Sequence, residues 1–125
     1  SEQELSRQWE GHEPGRVDLP QMCDALVRRN ATRPEIVRLY AVLSAEALEP
    51  SHPAHAYFAA RQDQVLAYFA TLAKGLTDQP HSLARQVCAL MDGVQLLWLR
   101  DPAQIDLVQE WQALAEVLFA RPTLP

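Results

Sequence analysis

The histidines, cysteines and carboxylates of this chain set the limits on what chemistry it can perform. His52 and His55 stand three residues apart. That spacing puts both rings on one helical face and could hold a metal ion if a third ligand came from elsewhere. The plainer reading is a pair of solvated rings at a helix start. Cys23 and Cys88 both fall at apolar-periodic positions, and their separation matches neither a metal knuckle nor a disulfide framework, so they read as buried thiols packed like small hydrophobes. Glu46, Asp92 and Glu110 belong to three different predicted helices, which leaves no local spacing for a carboxylate pair. A phosphate loop, a nucleophile elbow and a dinucleotide fingerprint are all missing, and four scattered glycines could not build one. The sequence therefore reads as a non-enzyme with no metal or cofactor.

Polar residues in apolar surroundings carry the remaining functional signal. Glu46 sits in an otherwise apolar helix, Arg61 follows Tyr57 and Phe58 by about a turn, and Gln95 precedes Trp98 and Leu99 by about a turn. One reading is a Glu46–Arg61 ion pair between the second and third helices, because an unpaired buried charge is costly. The other is a ligand cavity lined by Tyr40, Leu43, Ala47, Tyr57, Phe58, Arg61, Val65, Met91, Gln95 and Trp98. Such a set combines aromatic walls, an adaptable sulfur and two polar anchors, although an ordinary core could hold the same side chains. Gly93, in a helix interior, predicts close approach of another backbone or a ligand, with helix–helix contact preferred.

Five helical segments must position these residues. Asp18 caps a first helix over about Leu19 to Asn30, with Leu19, Met22, Cys23, Leu26 and Val27 as its apolar stripe. Thr32-Arg33-Pro34-Glu35 reads as a capping box opening a second helix, Ile36 to Leu48, which is apolar almost all round and predicted to be central. Ser51-His52-Pro53 starts a third that runs to Gly75, with Phe58, Val65, Phe69, Leu72 and Leu76 on one face. Gln79-Pro80 and Asp101-Pro102 frame the fourth. Asp101 and Gln104 form a capping box for the fifth, which ends at Arg121-Pro122. Strand signals are missing. The expected fold is an all-α antiparallel bundle of about five to six helices. Residues 1–17 are expected to form a helix tail and loop ahead of a domain over residues 18–125.

The stretch Leu83 to Leu118 carries two apolar seams on its first helix. Leu83, Val87, Leu90, Val94 and Leu97 repeat at steps of four and three, and Ala84, Cys88, Met91, Gln95 and Trp98 repeat one residue later. One stripe suffices to dock a helix on its own core, so the second predicts another partner. A twofold dimer follows, with Leu83, Val87, Leu90, Val94, Leu97, Leu107, Trp111, Leu114 and Leu118 at its interface.

Composition narrows the class further. The 125 residues are 48% hydrophobic, enough for one domain with a real core. A net charge of -5 and a single lysine, Lys74, argue against direct contact with a phosphate backbone. No apolar run is long enough to span a bilayer, and Ser1 to Glu10 is too polar for a signal peptide, which predicts a soluble cytoplasmic protein.

Three segments in order add a family resemblance. These are Val37-Arg38-Leu39-Tyr40-Ala41-Val42-Leu43-Ser44-Ala45-Glu46-Ala47, then Pro50 with His52-Pro53-Ala54-His55-Ala56-Tyr57-Phe58, then Leu90-Met91-Asp92-Gly93-Val94-Gln95 with Leu97-Trp98. Over roughly residues 18–120 the chain resembles the C-terminal regulatory domain of the TetR family of bacterial transcriptional repressors. The resemblance implies a small apolar or amphipathic effector among the central helices and a homodimer in which the last two helices pair with their mates in a four-helix bundle. It also implies a DNA-binding head of about fifty residues with a helix-turn-helix. Nothing before Leu19 supplies that head, so DNA would be reached only through a part this chain lacks. The alternative is a stand-alone helical dimerisation protein without a small ligand.

Overall fold

The computed structural model describes residues 17–120, and among them there are five helices and no strand. They are α1 (Leu19–Ala31), α2 (Pro34–Glu46), α3 (His55–Ala73), α4 (Pro80–Arg100) and α5 (Leu107–Leu118). The helix tail expected over residues 1–10 and the loop after it lie outside the described residues.

Local chemistry explains where α1 begins. Asp18 is extended, its Oδ1 accepts from the Gln21 backbone N–H at 2.8 Å, and Gln21 Oε1 accepts in return from the Asp18 N–H at 3.4 Å. This reciprocal box satisfies donors that the first turn leaves orphaned. All five residues of the predicted stripe, Leu19, Met22, Cys23, Leu26 and Val27, are buried.

Two predicted caps fall elsewhere. Thr32 does not open α2; its hydroxyl donates backward to the Arg29 carbonyl at 2.7 Å and closes α1. Ala31 ends α1 and Pro34 begins α2, so the two-residue link leaves no extended residue with a free side-chain oxygen, and the N-cap Arg33 makes no side-chain bond. Asp101 likewise closes α4, its N–H donating to the Leu97 and Trp98 carbonyls, and the chain turns once more before Asp106 caps α5. Asp106 Oδ1 accepts from the Gln109 N–H at 3.0 Å. Asp18→Ala and Asp106→Ala are each expected to lower stability by about 1 kcal/mol, read as a fall in the urea midpoint at unchanged slope.

The core comes from four helices. α3 packs most extensively on α4, α1 packs on α5, and α4 meets α5, while α2 touches α1 and α4 only lightly. α4 turns Leu83, Ala84, Val87, Met91, Val94 and Trp98 inward, to join Phe69, Ala70 and Ala73 of α3, the α1 stripe, and Leu107 and Trp111 of α5. Among the described residues no polar or charged side chain is buried.

The expectation that the second helix is central is overturned: α2 contributes no buried residue, and Ile36, Leu39, Tyr40 and Val42 are exposed. An all-round apolar helix has no preferred underside, and periodicity cannot show whether another element is there to cover it. Leu39, 60% exposed, provides the check. Leu39→Gln is expected to shift stability by no more than about 0.5 kcal/mol, where a buried leucine truncated to alanine would cost about 2–5 kcal/mol; a urea titration separates the two.

Candidate functional site

The ten residues expected to line a cavity divide into groups. Tyr40 of α2 and Phe58 of α3 meet edge to face, with ring centroids 5.2 Å apart at 75°. Tyr57 stands against Phe58 at 5.2 Å and 86°, and the Arg61 guanidinium lies over the Tyr40 ring at 5.3 Å. Four of the ten thus form one aromatic and cationic cluster where α2 crosses the start of α3. Both tyrosines are exposed, and Phe58 and Arg61 are half-buried, so the cluster opens to solvent. Leu43 is half-buried and Ala47 buried beside it in sequence.

Met91 and Trp98 belong instead to the main core, with Val65 packed against it. Gln95 is half-buried on α4, and its Oε1 accepts from Asn30 Nδ2 at 2.6 Å, which ties the end of α1 to α4. Asn30 was not singled out in the sequence, because a residue in the last turn of a helix carries no sign of a partner 65 positions away. A shallow groove of about 200 Å³ lies at another place, lined by Leu76, Thr77, Gln79, Leu83, Leu118 and Phe119 among others, and none of the ten residues borders it. Ligand pockets usually enclose about 300–1,000 Å³, so this groove suits no more than a very small guest.

Glu46 lies at the surface, so the burial that called for an Arg61 ion pair is absent. The two histidines are half-buried and shape the turn between α2 and α3. His52 Nδ1 accepts from the Ala54 N–H at 3.0 Å, and His55 Nδ1 bonds the Ala47 carbonyl at 2.7 Å. A carbonyl can only accept, so Nδ1 of His55 carries a proton while Nδ1 of His52 does not. Rings engaged in this way hold backbone in place; among the described residues no three His, Cys, Asp or Glu side chains gather closely enough to hold a metal ion.

Neither cysteine is poised for reaction. Burial first, and the neighbouring Cys88 and Asp18 next, raise the Cys23 thiol far above its ordinary range. Burial and then the Asp92 carboxylate push Cys88 up to about 11. Both stay protonated at neutral pH, and the thiol is the unreactive form.

The nine expected interface residues also separate. Leu83, Val87, Val94, Leu107 and Trp111 are buried in the chain's own core; Leu90, Leu114 and Leu118 are half-buried; Leu97 is exposed. The inward arc of α4 draws alternately on both seams, three residues from each, because a period of 3.6 places the docking face along their border. What α4 and α5 leave uncovered is Leu96, Leu97 and Val117, of which neither Leu96 nor Val117 belonged to a seam. Gly93 is exposed, and a Cβ built there would meet nothing within 4 Å. Among the described residues, then, no backbone or side chain requires a glycine at this position, which costs its helix about 1 kcal/mol relative to alanine.

Among the described residues no helix is long and apolar enough to cross a membrane. Comparison with protein-family models, with curated proteins and with solved structures finds no match to this chain.

Proposed function

We propose that this chain is the effector-sensing and dimerisation domain of a TetR-like bacterial transcriptional regulator, a cytoplasmic homodimer that binds a small apolar or amphipathic molecule. The observation that carries the reading is the apolar surface left open on α4 and α5: Leu97 is 56% exposed and Val117 79% exposed. Scattered single hydrophobes are ordinary on a protein surface, but these lie on the two consecutive helices that the family resemblance assigns to pairing. The effector would meet Tyr40, Tyr57, Phe58 and Arg61, whose rings and guanidinium supply stacking faces and one cationic anchor. Its binding would shift the output only by favouring one arrangement of the assembly over another. DNA contact would belong to a helix-turn-helix head, for a chain of net charge -5 has little affinity for phosphates.

A stand-alone helical assembly protein is the second reading. The exposure of Tyr40 and Tyr57 favours it, since these rings do not enclose a volume. Sedimentation velocity at micromolar concentration tests what both readings share. The expected species has twice the 14.1 kDa chain mass; a monomer overturns both. Thermal melting against a panel of amphipathic aromatic acids then divides them, because a ligand of the folded state raises the melting temperature with concentration. A Tyr40→Ala variant is expected to lose that rise.

A further inference from the structure

We propose that α2 is a strap that opens by itself while the other four helices stay folded, and that Tyr40 is the latch holding it closed. The latch stands whether or not a small molecule binds beside it. A helix of 13 residues is marginal in water without tertiary support, so what α2 touches decides how firmly it stays closed. It touches little. None of its residues is buried, and Val37 is the only one of its apolar side chains packed against the core cluster. Ala41 and Leu43 are half-buried without joining that cluster, while Ile36, Leu39 and Val42 lie at the surface. Elements with few buried apolar contacts open at the low end of a protein's range of local stabilities. α4, which buries six side chains along its length, belongs at the other end.

Both ends of the strap are fastened. Asn30 Nδ2 donates to Gln95 Oε1 at 2.6 Å and holds the end of α1 on α4, so the two-residue link into α2 starts from a fixed point. At the other end Ala47 is buried, and its carbonyl accepts from His55 Nδ1 at 2.7 Å. Between these points α2 and α3 barely approach each other along their backbones. What crosses the gap is the Tyr40 ring, edge to face with Phe58 at 5.2 Å and beneath the Arg61 guanidinium at 5.3 Å. Opening separates Tyr40 from Phe58 and Arg61, which stay with α3. The aromatic and cationic cluster is therefore complete only in the closed form, and any molecule that stacks on the complete cluster holds the strap down.

Native-state hydrogen exchange on the full chain, at urea concentrations well below the unfolding midpoint, tests both parts. Denaturant dependence follows the surface an opening exposes, and the outer face of α2 is already in solvent. The amides of residues 39–43 are therefore expected to exchange at a rate nearly independent of urea, and those of Val87 and Val94 at a rate that climbs with it. Tyr40→Ala is expected to speed exchange in α2 about three- to tenfold, the worth of an aromatic pair and a cation–π contact, while leaving Val87 and Val94 unchanged. Thiol labelling gives the same comparison by another route. In a Cys88→Ala background, Val37→Cys puts a thiol on the side of α2 that meets the core, and Cys23, at 0% exposed, reports opening of the core itself. Labelling at position 37 should ignore urea, and labelling of Cys23 should follow it. A single urea-dependent opening shared by α2 and α4 overturns the strap. An α2 that opens locally but does not respond to Tyr40→Ala overturns the latch.

Discussion

Trp111→Ala is expected to cost about 3–5 kcal/mol and to leave the chain largely unfolded at 37 °C. Trp111 is 1% exposed, the largest of the fully buried side chains among the described residues, and sits on α5, which packs against both α1 and α4. Small domains have about 5–15 kcal/mol in total, so a single cavity of this size removes a large share. The indole adds a second, sharper expectation. Its Nε1–H is buried and finds no acceptor among the described residues. An unsatisfied buried donor costs about 1–3 kcal/mol, so Trp111→Phe removes that penalty together with part of the ring. The two effects oppose each other, and the phenylalanine variant is expected to lose less than half of what the alanine variant loses. Urea melts of both variants provide the check; equal losses would mean that the phenylalanine ring does not refill the cavity that alanine leaves.

If the chain pairs through α4 and α5 as proposed, Leu97→Glu combined with Val117→Glu is expected to convert that dimer into a folded monomer. Both positions are well exposed in the protomer, so the charges need no desolvation in the single chain and should change its own stability by no more than about 0.5 kcal/mol per site. At a dimer interface the same carboxylates would be buried without partners, which costs several kcal/mol per ion. A loss of that size displaces the association midpoint by two or more decades. Circular dichroism should report unchanged helix while sedimentation reports half the mass. Val94→Glu is the contrasting control: at 6% exposed, Val94 belongs to the protomer core, and a charge there should unfold the chain rather than dissociate it. If the double variant stays dimeric, the copies meet on another surface.

The open face of α2 has a practical consequence. Ile36, Leu39 and Val42 are all exposed, as is Leu48 in the turn that follows, and large uncovered apolar area promotes association of any kind. Aggregation that persists in the Leu97→Glu, Val117→Glu variant and disappears on adding Leu39→Gln would trace to α2 rather than to the surface left open on α4 and α5.

The sequence alone determined the helices and most of their inward faces. Proline before and glycine or proline after an apolar period mark helix limits through backbone geometry, which is local, and α1 and α4 end within a residue of where those signals place them. The α1 stripe was fully legible because one helix with one apolar face has one way to lie down. Where two signals compete for the same residue, local reading failed: Thr32 and Asp101 each had the composition of an N-cap, and each was taken by the helix before it. The tertiary structure decided which of several apolar faces became core. α4 has two seams and buries the line between them, so Leu97 is left outside while Val87 and Val94 go in. α2 is apolar on every side, and it became peripheral because α3 with α4 and α1 with α5 had already satisfied one another. The same competition separated Met91 and Trp98 from Tyr40, Tyr57 and Arg61, residues that share a chemistry but not an environment. Burial depends on which surfaces meet, and a one-dimensional period records each surface without its partner.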